Sequence, residues 1–502
     1  MRLKLKPIFK DTLLTLFTQV FLLACFFAIY KLVANQFGPE GVGEYSLIKK
    51  AIGLLIPLLF LGGLGNGLSR FIAINPNSQQ HRIKYLKIAL TAIVITTTVA
   101  ILTIIIFKTN MAELLFGDKK YTNLIPPLLV LLAGLLTQGI ITAYLRGRSL
   151  FKAFNLIQIF TLGIIPITIL LISPGIKIED FIMTSGILTL SISIMFLIPI
   201  INDLLTHTPK GETKNTSKTL LSYAIPRLPT DFILNGIFAI GPIIASSLID
   251  IKNAGYIAIV QNLIMGISVI TSPLGIILLP KVANLIAQDH QETIRTNINM
   301  FIKIIFQTSV FITIQLFIFG DVILKNWLGE EFKEATYVLQ IASCAIPFYF
   351  FFLATRDILD AIKIKPINTI NLVISFIIST TLLIGLTKTG ILPSQIGITL
   401  SFTLGLICLG ILSYFSIRKL YKKEHAPSNK TITFPILANI ILAAISITIK
   451  TLLTTDISIV ILLLLAEGII YAAILWKLNP QLAKQIFTRL TPPNLDGSTN
   501  PT

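Results

Sequence analysis

Arg227 and Asp231 lie four residues apart in the segment Tyr223-Ala224-Ile225-Pro226-Arg227-Leu228-Pro229-Thr230-Asp231. On a helix that spacing puts both side chains on one face, where guanidinium and carboxylate can pair. The flanking prolines free backbone carbonyls, which suits a broken helix lining a wet cavity. In such a cavity Arg227 can hold a phosphate through two parallel N–H bonds, and Asp231 can carry a proton or a cation. A self-neutralised structural pair is the equal alternative. Lys31, Lys49 and Lys50 also belong to apolar runs. They either add positive charge to the same cavity or snorkel to lipid headgroups. Glu467, between Leu462–Ala466 and Gly468, either faces neighbouring helices or couples an ion. An ionisable residue at mid-bilayer costs about 2.5–3.5 kcal/mol on insertion scales, so each of these positions is a candidate for function.

Other chemistry is missing from the sequence. No GxxxxGK[ST] loop is present, which excludes the ATPase of a pump. His81, His207, His290 and His425 fall between apolar runs without a second ligand at metal spacing, and no Ser/His/Asp set assembles within the membrane. No metal, no cofactor and no enzyme is expected. Cys25, Cys344 and Cys408 sit inside apolar runs and read as packing residues, not as a disulfide framework.

The elements that must position these side chains are set by composition. Hydrophobic residues make up 54% of the chain and charged residues 13%, against roughly 25% charged in soluble domains. The mean hydropathy is +0.83. So little polar material cannot cover a soluble protein of 502 residues, and lipid must be the solvent for much of the surface. A span needs about 20 apolar residues. By that measure the chain is an all-α integral membrane protein of about fourteen spans. The net charge of +18 is spread in short clusters between apolar runs, which is a topology signal and argues against nucleic acid. With the N-terminus cytoplasmic, most Lys and Arg fall on one side, so both termini are expected in the cytoplasm.

The division expected is a first lobe of six spans over 1–204, a linker over 205–219 and a second six-span lobe over 220–417. A basic linker over 418–431, an extra helix pair over 432–476 and a tail over 477–502 complete it. A weak repeat accompanies the two lobes. Val42-Gly43-Glu44-Tyr45 opens the second run and Asn253-Ala254-Gly255-Tyr256 the eighth, so that Gly43 aligns with Gly255. Repeated bundles with a path between them are a frequent transporter architecture.

The segments Phe37-Gly38-Pro39-Glu40-Gly41-Val42-Gly43-Glu44-Tyr45-Ser46 and Leu61-Gly62-Gly63-Leu64-Gly65-Asn66-Gly67-Leu68-Ser69-Arg70-Phe71 resemble the polysaccharide transporter family, as does Tyr223-Ala224-Ile225-Pro226. The second turn, Ala254-Gly255-Tyr256-Ile257-Ala258, departs from the Gly-x-Tyr often found there. The resemblance implies an O-antigen-type flippase of the multidrug/oligosaccharidyl-lipid/polysaccharide (MOP) superfamily, built as two six-helix lobes in a V and working by alternating access. It implies undecaprenyl-diphosphate-linked oligosaccharide as substrate, a bacterial inner membrane, proton or sodium coupling, and other polysaccharide-assembly membrane proteins as partners. Arg227, Lys31 and Arg70, with Lys49 and Lys50, would neutralise the lipid diphosphate, and Asp231 or Glu467 would couple the ion. A lipid II flippase and a multidrug/cation antiporter of the same superfamily are the alternatives. From another class comes an integral-membrane glycan polymerase or ligase, which usually needs a long outer loop.

Overall fold

The computed structural model describes residues 5–74, 78–206, 214–268, 291–362, 367–420, 430–452 and 457–478. Much of both linkers and nearly all of the tail lie outside them, as do His207, His290 and His425. Among the described residues there is no β-strand, as expected where backbone groups must be satisfied within each segment.

Eighteen α-helices are described. The first half holds α1 (Leu5–Leu59), α2 (Leu64–Ile74), α3 (Gln79–Ile106), α4 (Lys108–Phe116), α5 (Ile125–Gly147), α6 (Phe151–Gln158), α7 (Ile165–Ile172) and α8 (Ile178–Thr206). The second holds α9 (Lys214–Ala224), α10 (Leu228–Leu248), α11 (Ile251–Ser268), α12 (Gln291–Leu328), α13 (Thr336–Ser343), α14 (Ile346–Ile362), α15 (Ile367–Thr389) and α16 (Ser394–Leu420). Helices α17 (Lys430–Leu452) and α18 (Ile457–Leu478) follow.

The 55 residues of α1 are far more than one crossing requires. Gly38, at φ 65 and followed by Pro39, breaks the helix. Tyr30 and Tyr45 then meet edge to face with ring centroids 5.3 Å apart, which a straight helix rising about 1.5 Å per residue forbids. The two arms of α1 therefore fold back on each other at Gly38. Among the described residues ten helices are long and apolar enough to cross a membrane, or eleven with the bent pair Glu330–Ser343 and Ile346–Arg356 taken as one span. That count is lower than fourteen for identifiable reasons. The two arms of α1 are counted together, the described residues stop at Ser268 of α11, and the apolar part of α17, Leu437–Thr451, is short.

Small residues set the packing, because lipid supplies no hydrophobic drive between helices and close approach must replace it. A Cβ on Gly186 of α8 would lie 2.6 Å from the Leu131 nitrogen of α5, and one on Gly410 of α16 would lie 2.6 Å from the Phe348 Cβ of α14. Between the halves the second arm of α1 and then α2 run antiparallel along α10 and α9. Gly53 faces the Asn235 Oδ1, Gly62 the Leu228 backbone, and Gly67 the side chains of Leu220 and Tyr223.

The C-terminal pair docks on α12 through polar layers. Tyr471 donates to the Gln307 carbonyl at 3.0 Å and receives the Asn439 amide at 3.1 Å. Farther along, Lys450 pairs with Asp321 at 2.7 Å.

Candidate functional site

The seam between the halves contains two breaks that meet. After Leu59 the chain turns through Leu61, at φ 47, and Gly62, at φ 71, before α2 begins. Opposite, a 3-10 turn over Ile225–Arg227 separates α9 from α10, with Pro226 and Pro229 at positions where no N–H is required. The Gly63 N–H donates to the Ala224 carbonyl at 3.1 Å, joining the breaks directly. A side chain at Gly62 would have its Cβ 2.2 Å from the Leu228 nitrogen.

Three arginines gather at this junction, two of them on the Tyr223 ring. The Arg227 guanidinium lies 3.7 Å from the ring centroid and donates to the Tyr223 carbonyl at 2.7 Å. The Arg70 guanidinium, from α2, lies 5.1 Å from the same centroid. Arg146, from the end of α5, donates to Asn66 Oδ1 at 2.9 Å and to Ser69 Oγ at 3.1 Å, which fixes it beside α2. All three arginines are exposed. Among the described residues none of them forms an ion pair.

The expected Arg227–Asp231 pair is not formed. Arg227 turns to the residue four before it instead of four after it, because side chains at a helix start lean toward its N-terminus. Asp231 stays in the first turn of α10, where a carboxylate suits the helix dipole. It is half-buried there.

Lys50 is the buried cation of the seam. It is 6% exposed, its Nζ makes no hydrogen bond among the described residues, and it lies 5.5 Å from the Phe238 ring centroid of α10. Lys49 is half-buried, with its Nζ 5.5 Å from the Tyr45 ring. Lys31 is elsewhere, on the face opposite the arginines, where it donates to the Asn326 carbonyl at 2.8 Å. Glu467 is elsewhere again. It is 3% exposed and accepts from Gln315 Nε2 at 2.6 Å and Ser446 Oγ at 2.7 Å, tying α18 to α12 and α17.

The sequence pointed to Arg70 and Arg227 but not to their shared ring or to Arg146. Tyr223 and Arg227 are also spaced i,i+4, the same signal that suggested Asp231, and an aromatic is as good a partner for a guanidinium. Among the described residues no group of His, Cys, Asp and Glu can hold a metal ion.

Among the described residues the protein is an all-helical bundle of apolar spans, divided by a seam that carries clustered and buried cations. The solved structures it resembles are those of membrane transporters and a lipid flippase. An inward-facing multidrug resistance MATE family transporter of the MOP superfamily matches with a TM-score of 0.68 at 14% identity, over 79% of this chain and 93% of its own. The lipid II flippase MurJ, in an inward closed conformation, matches with 0.67 at 17% identity, over 93% of this chain and 99% of its own. A Vibrio cholerae MATE transporter matches with 0.55 at 12% identity, over 84% of this chain and 97% of its own. At such identities the likeness is one of fold. No family model matches the sequence, and no curated protein does.

Proposed function

We propose that the protein is a flippase that carries undecaprenyl-diphosphate-linked oligosaccharide across a bacterial inner membrane for surface polysaccharide assembly. The observation that carries this reading is the group of Arg70, Arg146 and Arg227 at the junction of the two breaks. Three cations without a carboxylate partner among the described residues form a receptor for an anion, and guanidinium groups match phosphate oxygens two bonds at a time. The excess of Lys and Arg on the loops of that face makes it the cytoplasmic one, with both termini there. Lys50, and Lys49 beside it, supply positive charge deeper in the seam, where the diphosphate passes as the halves alternate. Asp231 takes the coupling proton or sodium ion. Glu467 is too fully engaged by Gln315 and Ser446 to be the first choice for that role. Other polysaccharide-assembly membrane proteins would receive the product.

In a deletion strain complemented with variants, Arg227→Ala should abolish surface glycan at unchanged protein level, with lipid-linked units held on the inner leaflet. Normal surface glycan removes Arg227 from the site. Single units accumulating on the outer leaflet would indicate a polymerase or ligase instead. The lipid II flippase reading is favoured by one observation, the MurJ-like match over 93% of the chain. It is decided by whether the protein rescues cells depleted of their lipid II flippase.

A further inference from the structure

On the face opposite the arginines, α1 and the end of α12 exchange a reciprocal pair of hydrogen bonds. Lys31 Nζ donates to the Asn326 carbonyl at 2.8 Å, and Trp327 Nε1 donates to the Phe27 carbonyl at 2.8 Å. Phe27 and Lys31 are one turn apart on α1, and Asn326 and Trp327 are adjacent, so each helix gives one side-chain donor and one backbone acceptor. Asn326 lies in the last turn of α12, whose carbonyls have no partner within the helix and whose dipole favours a cation. Lys31 is therefore a cap supplied by the other half of the molecule. The Trp327 ring adds contacts to Phe27, Phe26 and Tyr30, at centroid distances of 4.8, 6.1 and 6.4 Å. Beneath it the Tyr30 hydroxyl receives the Asn262 amide at 2.8 Å and lies 3.4 Å from Ser46 Oγ. Ser46 is completely buried.

We infer that the Lys31–Asn326 and Trp327–Phe27 bridges form a latch that keeps this face of the seam closed. The bridges cross between the halves, so separation of the halves on this side must break both together. Gly329, at φ 119, ends α12 just past the latch, so the tip of α12 meets a chain reversal and not a further turn of helix. Lys31 thus acts on the protein's own backbone and not on substrate. The inference stands apart from the substrate proposed above, because opening can be read without any substrate.

The test uses the full-length protein with Cys25, Cys344 and Cys408 replaced by alanine and Ser46→Cys as reporter. In membrane vesicles, a membrane-impermeant maleimide is applied from the side that labels an exposed cysteine at Lys333. Lys31→Met and Trp327→Phe should each raise labelling of the reporter roughly five-fold, the shift given by one hydrogen bond of ordinary net strength. The double variant should raise it further, and Lys31→Arg, which keeps a cationic donor, should leave it low. Unchanged labelling in the double variant at normal membrane level overturns the latch, as does high labelling in Lys31→Arg. If the double variant is degraded, Trp327→Phe decides alone, since it keeps a large ring and removes the N–H. No rise in that variant also overturns the latch.

Discussion

Gly43 and Gly255 lie face to face where the two halves meet. A Cβ on Gly255 would stand 2.9 Å from the Gly43 nitrogen, and one on Gly43 would stand 2.2 Å from the Ile251 carbonyl oxygen. The two glycines open corresponding helices, the second arm of α1 and α11. Later features of the halves correspond as well. Gly117 and Gly329, both at positive φ, each precede a 3-10 turn and then a span. Gly175 and Gly390, also at positive φ, precede α8 and α16. The spacing between members is nearly constant, so the contact of Gly43 with Gly255 marks the place where two like halves meet their counterparts.

Gly43→Ala should therefore destabilise the protein, by about 1–3 kcal/mol, the usual cost of overpacking. Its backbone neighbour cannot rotate away as a side chain could. Gly385→Ala is the control, because nothing lies within 4 Å of a Cβ there. Thermal unfolding in detergent should show a loss for the first and none for the second.

Arg227→Lys should fail where a simple charge requirement would let it succeed. Lysine keeps the charge but loses the flat stacking on Tyr223 and the forked donors. Surface glycan is expected to fall at least about ten-fold, the scale of one lost charge-assisted bond. Tyr223→Phe should keep activity and Tyr223→Leu lose it; equal activity in both would show that the ring does not hold the arginines.

Lys50→Met should separate stability from function. Methionine keeps an apolar stem of similar length while removing a buried, unpaired cation, so stability should rise by about 1 kcal/mol or more. Transport should nonetheless collapse if the cation serves the diphosphate. A Met variant that unfolds earlier than the parent would show that Lys50 is instead stabilised in place.

Glu467→Leu and Glu467→Gln should differ. Leucine leaves Gln315 and Ser446 without their buried acceptor, at a cost of about 1–3 kcal/mol. Glutamine retains an acceptor oxygen and should preserve both protein level and transport. Transport lost in Glu467→Gln at normal protein level would move ion coupling from Asp231 to this carboxylate.

Composition and run length were enough to establish a helical membrane protein, because the bilayer fixes both the length and the polarity of a span. The break at Pro226 was legible as well, since proline constrains the backbone locally, whereas the kink at Gly38 and the turn at Gly62 came only with the structure. Spacing along a helix offered Asp231 as the partner of Arg227, whereas the structure turns Arg227 to Tyr223, four residues the other way. That outcome fell to the 3-10 turn before α10. The same holds for Lys31, whose partner at Asn326 lies far along the chain, and for Arg146, which joins Arg70 only because α5 packs on α2. Sequence alone supplied the cations and the helices that carry them. Which cations share a site, which one closes the opposite face and which one stays unpaired in the seam were decided by contacts between halves that local spacing does not encode.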